Sequence, residues 1–334
     1  MKKLFRIDPP FRKNINGWLF RKTHSLIGCK FKIKTIAFLT FLIISVNVMS
    51  QTFNIGHTIL SMIDSERGNR KVPVEVYYPA DSFGDNVPVC TAGSMKFPVL
   101  CFAHGYLMSW DSYTYIRDAL VPEGFIIAFP KTEGELFPSH MDLAMDISFI
   151  IRKISEYGSD KSSIFFNRVQ RMNCAMGHSM GGGSAVLAAG SDSSIAALAV
   201  LAPADTRPSA IKSAASVKIP ALIISGGNDC ITPPEAHQIP IFNALQSFNK
   251  LLITIRGGSH CQMADNSFPC NLAELTCGPA PSVTREDQQK IIVRYLVPWL
   301  NYHLKGDSSS ADKLASMIAS DTCVVADEGD RTTF

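Results

Sequence analysis

The sequence predicts an α/β domain, a mostly parallel sheet with helices on both faces. Three observations carry this. From about residue 53, apolar β-rich runs alternate with amphipathic helical patterns. The run "FPVLCFAH" (97–104) is almost continuously apolar, as a strand buried on both faces requires. "GHSMG" (177–181) stands between an apolar run and a helix of small residues, and ligand sites in such sheets lie at the carboxyl ends of the strands.

Each element follows in order. "VPVEVYY" (72–78) reads as an early strand and 97–104 as the next. "WDSYTYIRDALVPEG" (110–124) reads as a helix and "FIIAFP" (125–130) as a strand. Residues 139–158 form a helix, with Ser139 as N-cap and Gly158 as the stop. "RMNCAMGH" leads as a strand into Ser179, and "GGGSAVLAAG" continues as a helix. Strands follow at 195–204 and 218–227, a helix at 237–248, a strand at 250–258 and a long helix at 285–304. No internal repeat interrupts this series.

The chain has 334 residues, 46% of them hydrophobic, which is too apolar for disorder and enough for one large domain. Its net charge of +3 is split. Residues 1–34 hold ten Lys/Arg and one acid, leaving 22 basic against 28 acidic residues, a net −6, in the rest. A body of that sign gives no electrostatic reason to bind nucleic acid or anionic lipid. The apolar run at 35–49 is short for a spanning helix. With its basic leader and the following "SQ" it reads as a secretory signal cleaved near Ser50–Gln51, or else as an uncleaved anchor. Membrane contact is expected only in the second case. Three regions result: residues 1–50 as signal or anchor, 51–305 as a catalytic domain, and 306–334 as a polar surface tail, pinned through Cys323. Eight cysteines follow residue 50, an even number that suits disulfides in an oxidising compartment. No CxxC or HxxxH spacing appears, so no metal is expected, and no cofactor.

Gly177-His178-Ser179-Met180-Gly181 is a G-x-S-x-G. Small residues two places either side of the Ser let strand and helix backbones approach, so the hydroxyl projects from a strained turn. A serine hydroxyl is a poor nucleophile until a base takes its proton. The order Ser…Asp…His makes His260, just past a strand in "IRGGSHCQM", the expected base. His178, His237 and His303 are read as packing or surface residues. The acid is expected at Asp229 in "ALIISGGNDCITPP", with Asp205 in "APADTRP" as a competitor and Asp192 as a weaker one. Two backbone N–H groups are expected to hold an oxyanion, those of Met180 and of Tyr106 in "HGY".

The series "HGY…GHSMGGG…GGND…GSH" resembles the α/β-hydrolase superfamily over residues 55–304. The likeness is greatest to the branch of chlorophyllases, platelet-activating-factor acetylhydrolases, dienelactone hydrolases and cutinase-like polyester hydrolases. It implies a triad of Ser179, Asp229 and His260, with Tyr106 and Met180 lining the oxyanion hole. Residues 205–217 are too few for a lid domain, so an open, cap-less site is implied. Polyester-degrading members often carry Trp where this chain has Ala204, which puts aromatic clamping in doubt. Cys230 and Cys261 follow the expected acid and base directly, so a Cys230–Cys261 bridge is expected if those loops converge. Cys270 and Cys277 are expected to close a local loop or reach Cys323, while Cys101 and Cys174 read as inert core thiols. The implied activity is that of a secreted serine esterase with an ester substrate and no obligatory protein partner. The alternatives are an acyltransferase or peptidase using the same residues, a polyester hydrolase, or a non-catalytic binding protein on this scaffold.

Overall fold

The computed structural model describes residues 52–329, and the signal or anchor expected at 1–50 lies outside them. The strands are β1 (Asn54–Asp64), β2 (Arg70–Ala80), β3 (Gly84–Asp85), β4 (Phe97–Ala103), β5 (Ile126–Pro130), β6 (Val169–His178), β7 (Leu198–Leu201), β8 (Ala221–Gly226), β9 (Lys250–Ile255) and β10 (Val324–Asp327). The helices are α1 (Thr114–Leu120), α2 (His140–Tyr157), α3 (Met180–Ser191), α4 (Ala210–Ala214), α5 (Gln238–Ala244), α6 (Phe268–Glu274), α7 (Arg285–Lys305) and α8 (Ser308–Ser320).

One sheet runs β10-β9-β8-β7-β6-β4-β5-β2-β1-β3. The six strands from β9 to β5 pair in parallel. The β5–β2 and β2–β1 ladders are antiparallel, and so is β10 on β9. All seven residues of β4 are buried, because helices cover both faces. One core packs the sheet against α2, α3, α4 and α5, through side chains such as Ile147, Val186, Ala214 and Phe242. The other packs it against α1, α7 and α8, through Ile116, Trp299 and Leu314. Fully burying each Val, Leu, Ile or Phe contributes roughly 1.5–3 kcal/mol, so the central strands define the fold.

The expected N-cap of α2 is present, with Ser139 Oγ accepting from the N–H of Asp142. The helix expected over 110–124 is shorter. A 3-10 turn at Trp110–Tyr113 precedes α1, and the chain then turns at Gly124 with φ 88°. The segment expected as a polar surface tail forms α8 and β10. Leu314 of α8 is fully buried beside α7, and β10 adds an antiparallel edge strand. Cys323 forms no disulfide, being an exposed free thiol, and only its carbonyl ties the tail, accepting from the N–H of Arg256 at 2.9 Å. A buried ionic cluster ties the β1–β2 turn to α2: Asp146 accepts from Arg70 Nη2 at 2.8 Å and from Thr132 Oγ1 at 2.6 Å. Arg70 also reaches Glu133 at 2.6 Å, and Glu133 accepts from the N–H of Ser139, which fixes the loop between them.

Candidate active site

Ser179 sits between the end of β6 and the start of α3, at φ 56°, ψ −119°. That strained turn persists because its surroundings over-determine it. The N–H of Ser179 donates to Leu201 O at 3.0 Å, and its carbonyl accepts from the N–H groups of Gly183 and Ala204, each at 3.0 Å. A Cβ on Gly177 would lie 2.5 Å from Gly181, and one on Gly181 would lie 2.2 Å from Ala103 O. The two glycines therefore let strand β4, strand β6 and helix α3 cross at backbone contact, with the Ser at the crossing.

His260 and Asp229 arrive on loops after β9 and β8. His260 Nε2 lies 2.9 Å from Ser179 Oγ, and its Nδ1 lies 2.7 Å from Asp229 Oδ2. All three side chains are buried. The carboxylate of Asp229 is anchored from behind. Its Oδ1 accepts from the N–H groups of Ile231 and Thr232 at 2.9 and 2.8 Å, and its Oδ2 from Thr232 Oγ1 at 3.0 Å. Every one of these contacts uses a carboxylate oxygen as an acceptor, so the group is fixed in place. It fixes the proton on Nδ1 of the imidazole and leaves Nε2 free to accept from the hydroxyl.

The remaining candidates lie elsewhere. Asp205 braces the start of α4, whose N-cap is Ser209: its Oδ1 accepts from Ser209 Oγ at 2.8 Å and from the N–H of Ile211 at 3.1 Å. Asp192 accepts from Ser194. His237 Nδ1 accepts from the N–H of Asp205 at 2.9 Å. His303 packs on Trp299, with ring centroids 4.6 Å apart. His178 lies behind the base, its ring 4.6 Å from that of His260 and its Nδ1 3.0 Å from Tyr113 Oη. Burial, and then the neighbouring His260, hold His178 well below the usual histidine range, so it stays neutral beside the reacting groups.

The loop after β4 comes up beside the Ser. A Cβ on Gly105 would meet Ser179 Cβ at 3.4 Å, which places Tyr106 next to the hydroxyl. A pocket of about 180 Å3 is lined by Tyr106, Leu107 and Met108 on one wall and by Ile231, Pro269 and Ala273 on the other, with Ser179 and His260 between. A larger hollow of about 620 Å3 beside α2 holds no nucleophile paired with a base. Among the described residues, no group of three or more His, Cys, Asp or Glu is placed to hold a metal ion.

The expected Cys230–Cys261 bridge is absent. Cys230 pairs with Cys277, and Cys261 with Cys270. The segment carrying α6 reaches both the acid and the base loop, and each loop is stapled to that segment. Glu274 of α6 adds to the clamp. Its two carboxylate oxygens accept from Cys261 N–H at 3.1 Å and from Ser259 Oγ at 3.0 Å, one residue either side of His260. Gln288 of α7 accepts from the N–H of Ser259 at 2.9 Å and donates to its carbonyl at 2.8 Å. Gln238 donates to Thr232 O at 2.9 Å and to Pro203 O at 3.0 Å, which locks the Asp229 turn to the end of β7. Sequence reasoning missed Thr232, Gln238, Glu274 and Gln288. Only Thr232 carried a local signal, since it stands three residues after an Asp in a Pro-terminated turn.

Comparison with known proteins identifies the family of the chain. The family model described as PET hydrolase-like matches residues 50–312. Cutinase 2 of Thermobifida cellulosilytica is 24% identical over 253 residues, covering 74% of this chain and 80% of that protein. Cutinase cut1 of Thermobifida fusca is also 24% identical over 253 residues, covering 74% of this chain and 66% of its own length. Cutinase 1 of Thermobifida cellulosilytica is 30% identical over 233 residues, covering 69% and 77% respectively.

Proposed function

Given that the chain belongs to the PET hydrolase-like family and is a carboxylic ester hydrolase, we propose that it works as a serine hydrolase through Ser179, His260 and Asp229. The observation that carries this is the continuous relay of 2.9 Å from Ser179 Oγ to His260 Nε2 and 2.7 Å from His260 Nδ1 to Asp229. Ser179 Oγ attacks the ester carbonyl carbon as His260 Nε2 takes its proton. The carbonyl oxygen becomes an oxyanion, held by the backbone N–H groups of Met180 and Tyr106 and by the positive end of α3. The C–O bond then breaks, and the imidazolium passes its proton to the departing alcohol. Water attacks the acyl-enzyme, His260 takes a proton from it, and Ser179 leaves with that proton restored. Asp229 stays ionised throughout, orienting the ring and stabilising its charged form.

The names of the related cutinases support an extended ester or polyester as the substrate. No domain stands between β7 and β8 to cap the pocket, since residues 205–217 hold only loop and the five-residue α4. An aromatic clamp at the position of Ala204 is not part of the reading. Export to an oxidising compartment is supported by the basic leader, the apolar run at 35–49 and two disulfides. Mass spectrometry of the mature N-terminus tests this, and export with cleavage expects a start near Gln51.

The deciding experiment is Ser179→Ala assayed on a soluble chromogenic butyrate ester. Turnover should fall by at least about 10⁴-fold while the far-UV circular dichroism is unchanged. A variant that keeps a tenth of the wild-type rate removes Ser179 from the mechanism.

A further inference from the structure

Three segments meet at the pocket: the loop after β4, the turn at Ser179 and the loop of His260. One short stretch, where the 3-10 turn runs into α1, touches all three. Asp265 N–H donates to Ser112 O at 2.7 Å. Thr114 gives its N–H and its hydroxyl to Asp265 Oδ2 at 2.9 and 2.6 Å, and Tyr115 Oη donates to Met263 O at 2.7 Å. These bonds reach the base loop. Tyr113 stands between them and serves the other two segments. Its ring is fully buried and packs on Phe102, with centroids 4.7 Å apart. Its Oη accepts from Gly105 N–H at 2.9 Å and is hydrogen-bonded to His178 Nδ1 at 3.0 Å. Burial pushes the phenol up from its usual range, so the hydroxyl stays neutral.

Gly105 is where this contact acts. A Cβ there would crowd Met108 Sδ at 3.0 Å and His178 Nδ1 at 3.3 Å, so the position suits glycine. Glycine resists backbone rotation less than any other residue. The two peptide units that join at Gly105 therefore need holding from outside. The first is held by Tyr113, which takes its N–H. The second is held through its carbonyl. Gly105 O accepts from Met108 N–H at 3.1 Å and lies 2.9 Å from His104 Nδ1. The C=O and N–H of a trans peptide point in opposite directions, so this unit turns the N–H of Tyr106 away from those two partners. Among the described residues, no acceptor takes that N–H. Tyr106 and Ser179 line the same pocket.

We propose that Tyr113 is a positioning residue of the oxyanion hole: its hydroxyl pins Gly105 N–H, so that the next amide, that of Tyr106, is aimed at the carbonyl oxygen of the bound ester. The proposal rests on the Ser179 mechanism and adds to it a residue that never touches substrate. Without the hydroxyl, the buried N–H of Gly105 loses its partner. Buried amides do not stay unpaired, so the peptide rotates to find another acceptor and carries the Tyr106 amide with it. An oxyanion hole works by being aligned before charge develops. A misaligned donor therefore weakens binding of the transition state and leaves binding of the substrate almost untouched.

The test uses the full chain with Tyr113→Phe, which keeps the ring and deletes only the hydroxyl. Active sites are counted by fluorophosphonate titration, so an unfolded fraction does not enter kcat. On a soluble butyrate ester kcat should fall about tenfold, with KM within about twofold of wild type. Affinity for a trifluoromethyl ketone, to which Ser179 Oγ adds to give a hemiketal oxyanion, should fall by the same factor as kcat. Phe102→Leu, which strips packing from Tyr113 and leaves its hydroxyl, is the control for a merely structural role and should keep kcat within about twofold. Equal loss of kcat in the two variants, or an unchanged kcat in Tyr113→Phe, overturns the proposal. So does a shifted pH–rate profile at constant ketone affinity, since Tyr113 would then act on the base through His178. Amide hydrogen exchange on the wild type needs no variant. Gly105 should be protected, and Tyr106 should exchange freely until the ketone binds. Rapid exchange at Gly105 overturns the proposal as well. A wild type that forms no hemiketal would strike the Ser179 mechanism instead, and the Gly105 exchange would still decide whether Tyr113 holds the loop.

Discussion

On one side of the hydrogen bond between Ser179 and His260 lies a packed sheet, and on the other lie two long loops. The Ser side is held by close packing and backbone hydrogen bonds. Gly177 and Gly181 bring β4, β6 and α3 to backbone distance, and Ser179 makes its backbone bonds to Leu201, Gly183 and Ala204. The His side packs closely where Gly226 meets Gly258, and it adds polar and covalent restraints. Asp229 and His260 stand on turns that leave the sheet, and they are fixed by Thr232, Gln238, Glu274, Gln288 and two disulfides. A nucleophile can be positioned by close packing because its hydroxyl needs only a short side chain on a rigid backbone. A base delivered from a loop needs polar or covalent restraint, since loops bury too little apolar surface to hold a geometry.

The largest effect is expected on the packed side. Gly181→Ala would put a methyl 2.2 Å from Ala103 O, against backbone that cannot move. It should yield no soluble folded protein or cost more than about 4 kcal/mol in urea unfolding. An active variant of near-normal stability would show that the crossing is looser than its contacts imply. Next comes the stapled side. Replacing Cys230 and Cys277 by Ser opens a closure of 47 residues and should cost about 4 kcal/mol by loop entropy, against about 2.5 kcal/mol for Cys261 and Cys270, 9 residues apart. Urea melts with and without reductant measure both, and indifference to reductant would break the contrast.

Acid should weaken the sheet half. Burial pushes His303 down to about 4. Its ring is therefore neutral in the folded chain where the unfolded chain, with an ordinary value near 6.5, already takes up a proton. The stability tied to this neutral ring is complete above about pH 6.5 and is lost as pH falls toward 4, by up to about 3 kcal/mol. His178, also held low by burial, acts in the same direction. Unfolding free energies at pH 7 and pH 4.5 should differ accordingly, and His303→Gln should flatten the slope. The smallest effect sharpens the comparison most. Glu274→Ala frees both flanks of His260 and should lower kcat about tenfold with KM little changed, while Glu274→Gln, which keeps an acceptor, restores most of it. A loss of stability at constant kcat would make Glu274 a brace for α6 alone.

Legibility in the sequence followed burial. The central strands β4, β5, β6 and β8 read directly, because a strand covered on both faces must be apolar at every position. The margins did not. β1 is buried only at alternate places along part of its length, β10 has four residues, and α6 buries none, so each lacks a periodic signal. The tail read as polar because three serines open α8, although Leu314 anchors it. At the site, Ser179, Asp229 and His260 were picked out by chain order and do meet in space. The residues that hold them come from stretches with no motif, since a Gln or Glu far along the chain gains meaning only when folding puts it beside a loop.

The disulfides draw the same line. Cysteine number and position can be counted in a sequence, but pairing depends on which segment meets the two loops, and here α6 and the residues just after it take both bonds. By itself the sequence determined the parallel sheet, the strained Ser turn and the order of the three polar residues, because local sterics and continuous burial dictate these. Only the tertiary structure decided how acid and base are restrained, which cysteines join, and that the Tyr113 hydroxyl meets Gly105 and His178. Those outcomes depend on residues brought together across dozens of positions, a distance over which local propensity carries no information.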